Sequence, residues 1–301
     1  MRTVTPTPVP GDLSPELASV AAALEKLGKT RADCIRAAQA ITYATPDQPP
    51  IAQWKSDLLA AGCNVRNDWL ERVVVSYAAQ DSLPRIDALH VHPAVKLLIR
   101  KEFKSFTSPS KQLILVGTDA FVTAIYVATL RRFPAGPIDW VVSGLPRSYF
   151  AKMPTTRVPG ALWYALVHFG GLKPAFYVHL AYPPRNRSLV IEKEVRRAYY
   201  RMARSLILQP EMKGIMCSAW FHDPAALKDA PHLAALNEPY LQHGGRILGS
   251  VGEAREDSGF LKFNPERRKL YEEGKLRIHL TLAMWPRAAA IRWSEQHPDL
   301  D

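Results

Sequence analysis

Six of the nine histidines fall between residues 168 and 279: His168, His179, His222, His232, His243 and His279. Imidazole titrates near neutrality and is the commonest general base and metal ligand. His179 lies in an apolar, strand-like run and His222 closes another. The two are therefore candidates to meet in one cleft as catalytic groups. Between them stands Arg185-Asn186-Arg187-Ser188, whose side chains suit a phosphate or pyrophosphate. Glu192 and Glu194 open the helix that follows. Glu192 is a candidate carboxylate base, and both glutamates also complement a helix dipole. Cys217 and Ser218 are adjacent in a strand, so their side chains point to opposite faces. Cys217 reads as a small buried hydrophobe. Ser218 reads as a candidate catalytic hydroxyl, with Trp220 beside it to line a substrate pocket. His179, His222, Asp223 and Glu192 are metal-ligand types, but no H-x-H or H-x-x-x-H spacing joins them. His90-Val91-His92 has such a spacing and reads as a surface loop before Pro93. No metal is assigned.

The elements that must position these residues are legible in outline. Residues 1–12 are rich in Pro and Thr and read as a flexible arm. Residues 13–107 read as a helical region. Ser14 caps a helix with Pro15 at its first position, and Gly28 ends it. Further helices are expected over Arg31–Tyr43, Ile51–Ala61, the stretch after Asn67-Asp68, and Pro93–Phe106, with Thr45–Pro50 as a breaker. The texture changes near residue 108, and residues 108–301 read as an α/β domain. A short strand is expected over Gln112–Val116, a helix over Ala120–Arg132, a strand over Ile138–Val142, a breaker over Pro154–Gly160 and a helix over Ala161–Phe169. The clearest signal runs from Ala175 to Phe221. An apolar strand over Ala175–Ala181, a turn, an amphipathic helix over Leu189–Leu208 and a strand over Lys213–Phe221 make a βαβ unit with parallel strands. Asp223 should cap a short helix. Arg246–Val251 and Leu276–Met284 read as late strands, with helices over Pro265–Glu273 and Ala288–Glu295.

This order carries a resemblance. Phe176-Tyr177-Val178-His179-Leu180, the helix Glu192–Leu208, and Gly214 to Pro224 (GIMCSAWFHDP) are similar to the C-terminal domain of a GNAT-like acyltransferase. The similarity covers about residues 160–250. It implies a twisted sheet, a splayed strand pair and acyl-CoA binding at the turn before the main helix. Arg185, Asn186, Arg187 and Ser188 would then hold the phosphates. His179 or Glu192 would accept the proton of a small-molecule amine, with Ser218 and His222 in the same catalytic group. The turn reads Pro184-Arg185-Asn186-Arg187-Ser188-Leu189, where the family carries Q/R-x-x-G-x-G/A. Two other readings therefore stay open. One is a tailoring enzyme for a small amine or amino acid on the same fold without CoA, with or without a metal. The other is a basic module that binds nucleic acid or a protein.

Composition frames these expectations. The chain has 301 residues, 47% hydrophobic and 22% charged, enough for a sizeable core. Its net charge of +11 attracts anions. The patch Lys262, Arg267, Arg268, Lys269 and Lys275, beside Phe263 and Tyr271, is the sequence basis for nucleic-acid binding, and no established motif accompanies it. Three dispersed cysteines, Cys34, Cys63 and Cys217, offer neither a disulfide framework nor a zinc site. Reduced thiols and the lack of an apolar run after Met1–Pro10 lead to the expectation of a cytoplasmic protein. No run reaches the roughly 18 apolar residues of a membrane span. The fold class expected is α+β, a helical N-terminal region followed by a mixed-sheet GNAT-like domain.

Overall fold

The computed structural model describes residues 12–45, 49–110, 113–181, 191–254, 261 and 264–301. The expected arm, most of the breaker after Thr45, the turn bearing Arg185, Asn186, Arg187 and Ser188, and Lys262 and Phe263 lie outside them. The protein is mixed α+β, with helices preceding a six-stranded mixed sheet. Contacts divide the chain into two units. One takes residues up to Leu89 and then Val95–Phe133; the other takes His90–Ala94 and Pro134–Asp301. The first unit thus runs on past the change of texture near residue 108. No helix among the described residues is long and apolar enough to cross a membrane.

The first unit is built from α1 (Pro15–Lys26), α2 (Arg31–Ala40), α3 (Pro49–Ala60), α4 (Trp69–Ser82), α5 (Pro93–Phe106, whose first two residues belong to the other unit) and α6 (Asp119–Ala128). Ser14 accepts from the Leu17 amide and starts α1, and Thr30 and Asp33 form a reciprocal capping box on α2. α4 is the central helix, packed by α1, α2 and α6. It is buried on nearly every side, Glu71, Arg72 and Ser76 included. Buried charge needs partners. Arg72 Nε lies 2.9 Å from Asp68 Oδ2, and Arg72 also donates to the carbonyls of Ser105 and Ser108.

Two expectations here fail for identifiable reasons. Ile114 and its neighbours form no strand. The Ile114 amide donates to Asp68 Oδ2 at 2.9 Å, and Leu115–Thr118 turns into α6. The acidic side chains of α4 take the backbone donors that a sheet ladder would have used. The helix expected to reach Arg132 stops at Ala128. Leu130 adopts φ +56° and turns the chain into β1 (Arg132–Pro134), an edge strand that tolerates Pro134.

The second unit contains β2 (Ile138–Ser143), α7 (Arg147–Lys152), α8 (Val158–Trp163), β3 (Ala175–Leu180), α9 (Glu192–Ile207), β4 (Gly214–Ala219), α10 (Pro224–Asp229), α11 (Glu238–Leu241), β5 (Arg246–Glu253), α12 (Pro265–Glu272), β6 (His279–Pro286) and α13 (Arg287–Glu295). α8 begins within the expected breaker because Pro159 sits in its first turn, where a missing N–H costs nothing. The strand order is β1-β2-β3-β4-β6-β5. β3 and β4 are parallel, joined by α9; β2–β3, β4–β6 and β5–β6 are antiparallel. The late hairpin therefore inserts its second strand against β4.

Each face of the sheet is covered. α9 and α13 bring Tyr199 and Trp293 against Trp285 on one side. On the other, Tyr164, Phe169 and Met153 pack on Ala175, Met216, Leu282 and Met284. Gly214 opens β4 with φ +152°. A Cβ there would stand 2.2 Å from the Trp285 carbonyl, so only glycine lets the two strands approach.

Candidate active site

The parallel pair is where the sheet departs from regularity. Its Cα register covers Phe176↔Ile215 and Tyr177↔Met216 only, although both strands continue for two or more residues. Beyond those pairs the carboxyl ends of β3 and β4 are no longer matched. Cys217 Sγ reaches across to the Val178 carbonyl at 3.7 Å. Burial pushes that thiol up, so Cys217 is an inert, protonated spacer, as its place in an apolar strand suggests. A void of about 10 Å³ lies on the α9 side of the sheet, lined by Val178, Cys217, Tyr199, Tyr240 and Trp285 among others. That is about the volume one water needs.

Strand alternation sorts the candidate residues. Tyr177 and His179 share the face of β3 opposite that of Val178. Ser218 lies on the same side, two residues beyond Met216. Three polar groups gather there. The Tyr177 hydroxyl is 2.9 Å from the Tyr149 hydroxyl of α7. Ser218 stands beside Tyr177, yet its Oγ is buried without an aligned hydrogen-bond partner. The His179 ring centroid is 5.0 Å from that of Tyr177. Across the β2–β3 register His179 faces Asp139, which is fully buried. Burial raises the Tyr177 hydroxyl far above the usual phenol range, so it stays protonated, one donor that also accepts.

His179 and Ser218 thus fall in one cluster. The sequence reading missed its other members, Tyr149, Tyr177 and Asp139. Tyr149 follows a proline in an irregular stretch, and Asp139 sits alone in an apolar strand. Neither spacing flags them; only the antiparallel register joins Asp139 to His179.

The remaining candidates go elsewhere. His222 is fully buried in the 3₁₀ turn Trp220–His222. Its Nδ1 is 2.8 Å from Asn237 Oδ1 and 2.7 Å from the Tyr240 hydroxyl, and Asn237 Nδ2 donates to the Phe221 carbonyl. That last bond fixes the amide orientation and leaves Oδ1 as the acceptor. Tyr240 also donates to it, at 2.8 Å. Nδ1 then carries the ring proton, and Nε2 is a buried nitrogen with no donor facing it. Burial lowers the His222 pKa to about 4. Because Tyr240 lines the α9-side void, His222 and His179 belong to clusters on different faces.

Trp220 starts the 3₁₀ turn, since β4 ends at Ala219, and strand alternation does not carry Ser218's face to it. Glu192 is exposed on the first turn of α9, 3.7 Å from Arg196. Asp223 caps α10 through the Ala225 amide at 2.8 Å. It also accepts from the His279 amide at 2.6 Å, with His279 Nδ1 at 3.1 Å. The His90-x-His92 spacing is spent on structure. The His90 carbonyl accepts from Gln209, the His92 amide donates to Ser205 Oγ, and His92 Nδ1 accepts from the Ala94 amide. Among the described residues no group of three or more His, Cys, Asp or Glu is placed to hold a metal.

No family model, no curated protein and no solved structure matches the chain.

Proposed function

We propose that the second unit is a GNAT-like acyltransferase that moves an acyl group from a CoA-type thioester to the amine of a small molecule. The observation that carries this reading is the parallel pair β3/β4. It is the one parallel junction among the described pairings, it is crossed over by α9, and it is matched over two residue pairs before its carboxyl ends part. Ligands of α/β sheets bind beyond the carboxyl ends of parallel strands. Arg185, Asn186, Arg187 and Ser188 come just before α9, where phosphate is favoured by free amides and the helix dipole.

The chemistry assigned to the cluster is as follows. The amine nitrogen attacks the thioester carbonyl carbon, forming a C–N bond. The C–S bond breaks and the thiolate leaves. His179, backed by Asp139 across the strands, takes the amine proton directly or through a water. Tyr177, accepting from Tyr149 and standing beside Ser218, donates a hydrogen bond to the leaving thiolate, and the proton held by His179 passes to the thiolate through water. Glu192, paired with Arg196 on the helix surface, has no part in this scheme.

A thiol-release assay with acetyl-CoA and longer acyl-CoAs against a panel of small amines tests the reading. Amine-dependent thiol release that His179→Gln lowers by about 10²-fold or more supports it. No release with any donor and acceptor contradicts it. The absence of glycine from residues 184–189 supports a second reading, the same fold acting on an amine or amino acid without CoA. That reading gains if the amine binds while CoA does not.

A further inference from the structure

Three large apolar side chains stand exposed together in the segment between β2 and β3. They are Trp163 at 62%, Leu166 at 58% and Val167 at 52%. α8 runs directly into a π-helical turn, Tyr164–His168, so the three lie at positions i, i+3 and i+4 of one continuous helical stretch and share a face. The inner face is already full. Ala161, Tyr164, Ala165 and Phe169 belong to the core on this side of the sheet, and the Tyr164 hydroxyl donates to the Gly244 carbonyl at 2.8 Å. The outward residues therefore have no part in holding the segment down. A lone exposed Leu needs no explanation, but a Trp, a Leu and a Val on one face form a patch that marks a binding surface.

The charge around the patch has one sign. No Asp or Glu occurs between Asp139 and Glu192. The described part of that stretch carries Arg147, Lys152, Arg157 and Lys173, all exposed. Arg157 caps the start of α8, and its Cβ lies 3.8 Å from where a Cβ on Gly249 of β5 would stand. Arg246, exposed on β5, holds its guanidinium 5.7 Å from the centre of the Tyr164 ring. Both arginines thus border the contact of α8 with β5. Among the described residues none of these five basic side chains is in an ion pair.

We propose that this face docks on the surface of an anionic lipid bilayer, without spanning it. Trp163, Leu166 and Val167 enter the boundary between headgroups and acyl chains, the depth that tryptophan prefers. Arg157 and Arg246 stay at the level of the lipid phosphates and carboxylates, where each basic side chain adds attraction. The charge chooses this occupant over a second copy of the chain. A symmetric dimer through the patch would set its positive rim against itself. The proposal does not rest on the acyltransfer reading.

The test is sedimentation of the full chain with phosphatidylcholine vesicles, with and without phosphatidylserine. Binding should be at least about tenfold stronger with phosphatidylserine present. Because the chain is basic throughout, the apolar residues decide the matter. Trp163→Ser, Leu166→Ser and Val167→Ser combined leave the net charge unchanged and should lower binding at least about tenfold. Vesicles with brominated acyl chains should quench the tryptophan fluorescence of the bound protein. Trp163→Phe should keep the binding and lose most of that quenching, and this variant decides the matter if the triple variant unfolds. The proposal is overturned if no vesicle binds, if neutral vesicles bind as well as anionic ones, if the folded triple variant binds as the unaltered chain does, or if the quenching survives Trp163→Phe. A dimer in the absence of lipid that the triple variant dissolves would give the face to a second copy and overturn it as well.

Discussion

The hydroxyls of Tyr149 and Tyr177 meet at 2.9 Å, joining a short helix between β2 and β3 to the first strand of the parallel pair. Tyr177 is held protonated by burial, and Ser218 stands next to it without an aligned partner of its own. The arrangement has a donor to spare only if the Tyr149 hydroxyl gives its proton to Tyr177. Tyr177→Phe should therefore lower the rate of the proposed acyl transfer by about 10- to 100-fold. It should cost only about 1 kcal/mol of stability, the net worth of an ordinary hydrogen bond. Tyr149→Phe should lower the rate less, since Tyr177 retains its own proton. Turnover and urea unfolding of the same variants separate the two effects.

His222 makes stability depend on pH. Its folded pKa of about 4 lies below its ordinary value of 6.5. Between those values the unfolded chain binds a proton that the folded chain refuses, so the folded state is favoured above pH 6.5 and loses that advantage as pH falls toward 4. The full span is worth about 3 kcal/mol for this buried ring. Urea unfolding at pH 7 and pH 5 should show the loss, and His222→Gln should flatten this part of the profile. An unchanged profile would remove His222 as its source.

Asp68, just before α4, and Arg72 in its first turn form a buried pair, with side chains 2% and 3% exposed. Asp68→Asn should destabilise by about 3–5 kcal/mol because it strands the guanidinium. Arg72→Met should cost a similar amount by stranding the carboxylate. The double variant should be less destabilised than the sum of the two. Simple additivity in denaturant midpoints would mean that the two charges are not coupled.

Gly214→Ala should disrupt the β4–β6 junction, since the new methyl group would meet the Trp285 carbonyl at 2.2 Å and the Phe169 ring at 2.7 Å. Neither neighbour is the free end of a flexible chain. A loss of several kcal/mol, or of soluble protein, is expected. A folded variant with the unaltered melting temperature would contradict this close approach.

Much of this architecture is written locally, and the site mostly is not. Ser14-Pro15 and Asp223-Pro224 are caps whose side chains bond within three residues, so their sequence reading and their structure agree. The parallel β3/β4 pair followed from one amphipathic helix between two apolar runs. The strand expected around Ile114 failed because the Ile114 amide bonds to Asp68, 46 residues away, and local β-propensity carries no trace of that. Asp139 opposite His179 is likewise a matter of register, which the facing patterns of two strands far apart in sequence set. His222 and Trp220 were read as strand-end residues facing a cleft. The chain instead winds into a 3₁₀ turn that buries His222 against Asn237 and Tyr240.

The most direct measurement is thermal unfolding of the purified chain with and without acetyl-CoA and longer acyl-CoAs. A ligand that binds only the folded state, present at 100 times its dissociation constant, stabilises by about 2.7 kcal/mol. The account predicts a saturable rise in melting temperature with at least one acyl-CoA, abolished when Arg185→Ala and Arg187→Ala are combined. No shift with any acyl-CoA, or a shift that survives loss of both arginines, would contradict it.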